Sequence, residues 1–201
     1  MEDAGAGAVV LHSLFEEQIA VEALHLERGL AAGAGISAES VDFLPDVHTY
    51  KLGPDAYLEH LRKAKAAVGI PVIASLNGTA AGTWTRYAKL AEEAGADALE
   101  LNIYYVATDP SQIAANLERR YVELVSSVRK AVKIPIAVKV GHSFSAFANF
   151  AHQLTGAGAN GLVLFNRFYQ PELDINELAV TPTLSLSSPY ELLVRLHWVA
   201  V

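Results

Sequence analysis

Cysteine is absent from this chain of 201 residues, which excludes disulfides, thiolate metal sites and a cysteine acting as nucleophile or base. The chain also lacks an uninterrupted apolar run of about 18 residues, the length that a transmembrane helix needs. No basic segment followed by an apolar one opens it, as a secretory signal would. We therefore expect a soluble, cytoplasmic protein.

Positive charge is also scarce, since 15 Lys and Arg face 22 Asp and Glu, for a formal net charge of -7. A chain with this balance has no broad basic surface, so we expect no nucleic-acid partner. Hydrophobic residues make up 52% of the sequence, which is enough for one globular domain with a sizeable core.

At three places, residues 4–6, 94–96 and 157–159, the sequence Ala-Gly-Ala comes before an apolar stretch that ends in a polar residue. Glycine can adopt a positive φ at no steric cost, so each copy predicts a helix end followed by a buried strand. With two further strands that begin at Ile-Pro, the pattern predicts strands centred near Val10, Ile73, Leu99, Val138 and Val163.

Helical periodicity fills the gaps between these strands and predicts helices over 55–68, 84–93, 110–132, 145–155 and 189–201, with Thr83 as a helix N-cap. Strands that alternate with helices predict a parallel sheet with right-handed crossovers. The repetition favours a (β/α)8 TIM barrel over a doubly wound sheet. Five strands cannot close such a barrel, so we expect one partial domain over residues 1–201, truncated at both ends. A compact five-stranded sheet that begins naturally at Met1 is the alternative.

Polar side chains stand at the predicted strand ends, which in a barrel meet at one mouth. They are Ser75, Asn77, Asn102, Lys139 and Asn166. Neutral amides with one lysine suit a flat polar heterocycle better than a metal ion, and no carboxylate–histidine cluster has metal-ligand spacing. A lysine in a buried strand needs an anion or an electron-rich ligand unless it extends out of the barrel end. Glu100, inside a strand, likewise needs a partner.

Other residues have two interpretations each. His142, after the fourth strand, is either an acid–base group or a loop residue without a functional role, and His12 has the same two interpretations. Arg167 either binds an anion or lies on the surface. The loop at 77–79 is either a weak phosphate site or a turn. Residues 22–28 are expected to be solvated helix, and residues 29–37 a flexible loop.

Three segments together resemble the dihydroorotate dehydrogenases and their close relatives: Leu-Glu-Leu-Asn-Ile-Tyr-Tyr at 99–105, Ala-Val-Lys at 137–139, and Phe-Asn-Arg-Phe-Tyr-Gln-Pro at 165–171. The resemblance implies an FMN-binding (β/α) barrel, here roughly its strands two to six, that oxidises dihydroorotate in pyrimidine synthesis. It implies a small dihydroorotate-like substrate, and it leaves a homodimer open.

Carried over by position, the resemblance implies that Lys139 contacts the flavin ring and that Asn102 serves both flavin and substrate. It implies a substrate-binding role for Asn166, with Ser75 assigned to the cofactor and Asn77 to the substrate. Tyr105 falls where the family has a cysteine or serine base, and a phenol with an ordinary pKa of about 10 is a poor base at neutral pH. The candidate catalytic residues are therefore Tyr105 and His142.

Three departures from the family stand out: the replaced base, His12 where the family has a lysine, and no counterpart of strands one, seven and eight, although the last two loops usually hold the cofactor phosphate. The leading hypothesis is an FMN-dependent oxidoreductase acting on a CH–CH group. One alternative is a barrel lyase or aldolase with Lys139 as its Schiff-base amine. The other is a non-catalytic or inactive truncated barrel.

Overall fold

The computed structural model describes residues 1–15, 54–77, 81–105, 107–166, 172–181 and 188–201. Five strands form one parallel sheet: β1 (Val9–Phe15), β2 (Val72–Asn77), β3 (Ala98–Asn102), β4 (Ile136–Val140) and β5 (Gly161–Leu164). The helices are α1 (Pro54–Ala67), α2 (Ala81–Glu93), α3 (Ala114–Ala131), α4 (Phe147–Gly156) and α5 (Tyr190–Ala200). A short antiparallel hairpin joins β6 (Glu172–Asp174) to β7 (Ala179–Thr181).

The sheet has its strands in chain order, β1-β2-β3-β4-β5, and every neighbouring pair is parallel. In a doubly wound sheet the order in which strands are added reverses at a switch point, whereas in a barrel each new strand is added on the same side of the previous one. The predicted α/β class, the five parallel strands and the barrel type of winding are confirmed. The single partial domain over 1–201 stays a prediction.

The two faces of the sheet differ in chemistry. Side chains alternate along a strand, and one set on β3 and β4, including Leu99, Leu101 and Val138, is fully buried. Apolar side chains of the helices, such as Tyr121, Val125 and Phe150, belong to the same core. The opposite face carries Ser13, Ser75, Glu100, Asn102 and Lys139, and we call it the polar face.

The Ala-Gly-Ala turns adopt the predicted geometry. Gly95 and Gly158 have φ values of 95° and 111°, and Gly95 N–H donates to the Glu92 carbonyl while Ala96 N–H donates to that of Ala91. This pair of bonds is the Schellman motif that ends a helix. The next residue, Asp97 or its counterpart in the third copy, then accepts a bond from the first N–H of the preceding strand, so each turn also aligns two strands.

Two helix starts differ from the predictions. The assignment of Thr83 as an N-cap is wrong, because α2 begins at Ala81 and includes Thr83. The helix predicted from Pro110 begins at Ala114 instead, because the Asp109 carboxylate accepts bonds from the Ser111 N–H and hydroxyl and holds those residues in a turn.

Several sequence predictions lie outside the described residues: the loop at 78–79, the segments 22–28 and 29–37, and Arg167. Among the helices that the structure describes, none combines the length and apolar character needed to cross a membrane.

Candidate functional site

The site begins with a layer of the sheet in which three polar residues are neighbours. Ser13 on β1 is in register with Ser75 on β2, and Ser75 is in register with Glu100 on β3. Asn102 lies two residues beyond Glu100 on the same face, in register with Lys139 on β4. Parallel register therefore brings side chains from four strands together on the polar face.

A chain of hydrogen bonds connects these side chains. Ser75 Oγ donates to Glu100 Oε1 at 2.9 Å, and Ser13 Oγ lies 2.8 Å from Ser75 Oγ. Asn102 Nδ2 donates to Ser13 Oγ at 3.2 Å. Asn166, just after β5, donates from Nδ2 to Asn102 Oδ1 at 2.6 Å. The network thus begins at the edge of β5 and ends at the Glu100 carboxylate.

The buried carboxylate has the partners that its position requires. Glu100 is only 6% exposed, and besides the bond from Ser75 its Oε1 lies 3.9 Å from Lys139 Nζ. That distance is beyond hydrogen-bond range, so the contact is an ion pair that leaves the ammonium donors unused by Glu100. The Lys139 side chain is 29% exposed, so part of it is accessible to solvent.

Tyr57 of α1 holds Ser75 in place from the other side. The β1–β2 register is irregular between Val10 and Ser13. Beside this gap, the Tyr57 hydroxyl accepts from Ser75 N–H at 2.9 Å and donates to the Ser75 carbonyl at 3.1 Å. Burial raises the pKa of Tyr57 to about 12, partly opposed by the bond from the Ser75 backbone. The phenol therefore stays neutral and bridges the interrupted ladder.

The structure brings four of the predicted site residues together. Ser75, Asn102 and Asn166 belong to the hydrogen-bonded chain, and Lys139 joins it through Glu100. Asn77, the last residue of β2, is in register with Phe15 and is half-buried, one layer closer to the strand ends.

The two predicted catalytic residues lie away from these contacts. Tyr105, 42% exposed, has the Arg120 guanidinium 5.4 Å from its ring centroid, and its backbone hydrogen-bonds the hydroxyl of Tyr121 on α3. His142 is exposed in the loop after β4, with its ring centroid 6.3 Å from that of Phe165. Their catalytic roles stay predictions.

His12 does not take part in the chain. Its ring is 5.4 Å from the Tyr57 ring and 5.7 Å from the His60 ring, centroid to centroid, on the α1 side of β1. Burial, and then the nearby His60, lower the pKa of His12.

Sequence reasoning missed Ser13 and Tyr57. Ser13, next to His12, is a polar residue in a mostly apolar strand, which is a usable signal, but the irregular register that aligns it with Ser75 is not visible in the sequence. Tyr57 lies in the helix predicted over 55–68 and is buried, but the role of its hydroxyl depends on the irregular pairing of β1 with β2. Among the described residues, no three His, Asp or Glu side chains are grouped so as to hold a metal ion.

Comparison with known proteins gives sequence relatives but no match to a family model. The chain is 34% identical over 115 residues to a protein from Aeropyrum pernix assigned as dihydroorotate dehydrogenase A (fumarate), covering 53% of the chain and 35% of that protein. It is 25% identical over 141 residues to the catalytic subunit of dihydroorotate dehydrogenase B (NAD(+)) from Endomicrobium trichonymphae, covering 66% and 43%.

Solved structures give weaker likenesses. A 2,3-dimethylmalate lyase aligns at 16% identity with a TM-score of 0.47, over 80% of this chain and 52% of its own. Dihydrodipicolinate synthase from Oceanobacillus iheyensis aligns at 16% with a TM-score of 0.45, over 60% and 38%. Likeness at this level supports no statement about function. By its sequence the chain is similar to dihydroorotate dehydrogenases, as its motifs predicted, and it spans only 35% to 43% of the length of the two described above.

Proposed function

We propose that this chain supplies the flavin-ring side of an FMN-dependent oxidoreductase of the dihydroorotate dehydrogenase type. The observation that carries the proposal is the polar face, where a hydrogen-bonded chain from Asn166 to Glu100 ends beside the partly exposed Lys139. The sequence relatives, named as dihydroorotate dehydrogenases, support an oxidoreductase over other barrel enzymes.

The residues present fit the ring of a flavin. An isoalloxazine ring has an apolar end and an edge of carbonyl oxygens and nitrogens, and charge beside that edge tunes its chemistry. Lys139 offers an ammonium whose donors Glu100 does not use, because the two groups are 3.9 Å apart. Asn102 offers an amide two residues from the buried carboxylate. The charge of Lys139 and the amide of Asn102 thus suit the polar edge of the ring.

Each residue then has a role in binding. When bound, the flavin would accept a hydride from a C–H bond of the substrate. Lys139 would hold its positive charge against the ring and offset negative charge there. Asn102 and Asn166 would orient a small dihydroorotate-like substrate, with Asn77 at the rim of the same face and Ser75 supporting from beneath. If a proton must be removed, His142 is the better candidate, since imidazole is the side chain that exchanges protons near neutral pH, and Tyr105 is the other.

The alternative is a lyase or aldolase in which Lys139 forms a Schiff base. That chemistry needs a neutral amine and a carbonyl substrate, whereas the sequence relatives are named as dihydroorotate dehydrogenases. The flavin proposal is therefore favoured. Borohydride with a carbonyl substrate would trap Lys139 covalently only if the alternative holds.

Riboflavin is the sharpest probe, because it carries the ring without the phosphate. We expect flavin fluorescence to be quenched in a saturable titration of the chain. Lys139→Met should weaken binding about tenfold, the effect of losing one charge-assisted bond of about 1.4 kcal/mol, and Lys139→Arg should lose less. Lys89→Met, which removes an exposed charge from α2, is the matched control. Equal dissociation constants for Lys139→Met and Lys89→Met would overturn the proposal.

A further inference from the structure

The hydrogen-bonded chain on the polar face has only one allowed direction. A carboxylate can only accept hydrogen bonds, whereas a serine hydroxyl has a single proton to give. Ser75 must give its proton to Glu100, at 2.9 Å. In the contact of 2.8 Å between the two serines, Ser13 is therefore the donor and Ser75 the acceptor.

The direction then passes to the asparagines. With its own proton given to Ser75, Ser13 Oγ can only accept at its other contact, so Asn102 must present its NH2 group there. The Asn102 carbonyl oxygen consequently faces Asn166, which must donate a hydrogen bond to it from its NH2 group. Each amide has one orientation that satisfies its neighbour, and the alternative flipped orientation would place two acceptors or two donors together.

We infer that Glu100 is a positioning residue that sets the orientation of both asparagine amides from the far end of this chain. Its charge is buried, at 6% exposure, and the four bonds join groups on β1, β2 and β3 with Asn166 after β5. Burial strengthens such a chain and makes a reversed member costly. In consequence, the carbonyl oxygen and the second N–H of Asn166 keep a fixed arrangement for any further partner.

The inference rests on the proposed function only for its meaning to a ligand, since it states which groups Asn102 and Asn166 would offer to a substrate. The orientation itself is a property of the chain without any ligand. Glu100→Gln is the informative variant, because it keeps the shape of the side chain and adds an NH2 donor. The Gln NH2 group can donate a hydrogen bond to Ser75 Oγ, so the direction of all four hydrogen bonds becomes free to reverse.

The test records the side-chain amide signals of Asn102 and Asn166 by ¹⁵N NMR of the intact chain without ligand. Glu100→Gln should shift or double both pairs of signals, including those of Asn166, four hydrogen bonds away. Lys139→Met removes the neighbouring charge but keeps the carboxylate, and should leave the Asn166 signals in place. Ser75→Ala keeps Glu100 but interrupts the series of hydrogen bonds, so it should shift the signals of both amides. This variant provides a second test if Glu100→Gln folds poorly.

The result that would overturn the inference is an Asn166 amide that is unchanged in both Glu100→Gln and Ser75→Ala. Riboflavin binding, measured separately, distinguishes the two proposals. If the amide signals shift in the variants but the chain does not bind riboflavin, the proposed function alone is contradicted. If the chain binds riboflavin but the amide signals do not shift in the variants, the positioning role alone is contradicted.

Discussion

Replacing Ser75 by alanine removes the hydroxyl that joins the Glu100 carboxylate to the rest of the hydrogen-bonded network. Ser75 is 1% exposed, donates to Glu100 at 2.9 Å and accepts from Ser13 at 2.8 Å. A hydrogen bond to a charged group contributes about 1.5–3 kcal/mol, and a neutral one about 0.5–1.5 kcal/mol. Ser13 is half-buried and water can replace part of its loss, so we expect the free energy of unfolding to fall by about 2–4 kcal/mol.

Urea denaturation followed by circular dichroism measures this loss. Ser127→Ala is the matched control, because the Ser127 hydroxyl donates to the Glu123 carbonyl one turn back in its own helix, at an exposed position; we expect a change within about 0.5 kcal/mol. A Ser75→Ala loss as small as that of the control would refute the reasoning, since it would mean that the carboxylate does not depend on the serine.

Three further predictions concern the scaffold. Tyr57→Phe should cost about 1–3 kcal/mol in urea denaturation, because it leaves a buried backbone N–H and carbonyl unpaired. Gly158→Ala should cost more than the roughly 1–3 kcal/mol of its backbone conformation alone, because the new Cβ would lie 2.5 Å from Arg129 Cγ. The pKa of His12 is lowered by burial and by His60, so the unfolded state binds more protons, and stability should fall as pH drops below about 6.5; His60→Gln should reduce that fall.

Each of these predictions has a control within the chain. Tyr190→Phe changes a phenol that is 82% exposed and should be nearly neutral in the same urea assay. Gly95 also has a positive φ, but a Cβ added there by Gly95→Ala would meet no atom closer than 4.0 Å. In an Arg129→Ala background, which removes Cγ and Cδ but keeps Cβ at 3.0 Å from the new atom, Gly158→Ala should cost less than it does in the unsubstituted chain; an undiminished cost there would contradict the clash. An unchanged pH profile in His60→Gln would contradict the histidine coupling.

Much of the fold follows from local sequence. Ala-Gly-Ala predicted the helix ends because positive φ at Gly95 and Gly158 is a local requirement that glycine meets. The apolar runs predicted the five strands because strands buried in a parallel sheet are continuously hydrophobic. The start of α3 was misplaced because the side chain of Asp109 competes with the helix for backbone bonds, which periodicity does not register.

The residues of the site could largely be predicted from the sequence, but the hydrogen bonds that join them could not. Polar residues at strand ends identified Ser75, Asn102, Lys139 and Asn166, because the carboxyl ends of parallel strands share one edge. Their order in the chain of bonds depends on the irregular β1–β2 register that brings Ser13 opposite Ser75. Such a shift arises from packing between elements distant in sequence, so pattern reasoning could not supply it.

The most direct test of the flavin proposal is a crystal structure of the chain grown or soaked with riboflavin. The account predicts the isoalloxazine ring on the polar face, with its carbonyl edge within hydrogen-bond distance of Lys139 Nζ and beside the Asn102 amide. A ring bound on the helix side of the sheet, or on the polar face without contact to Lys139, would contradict it.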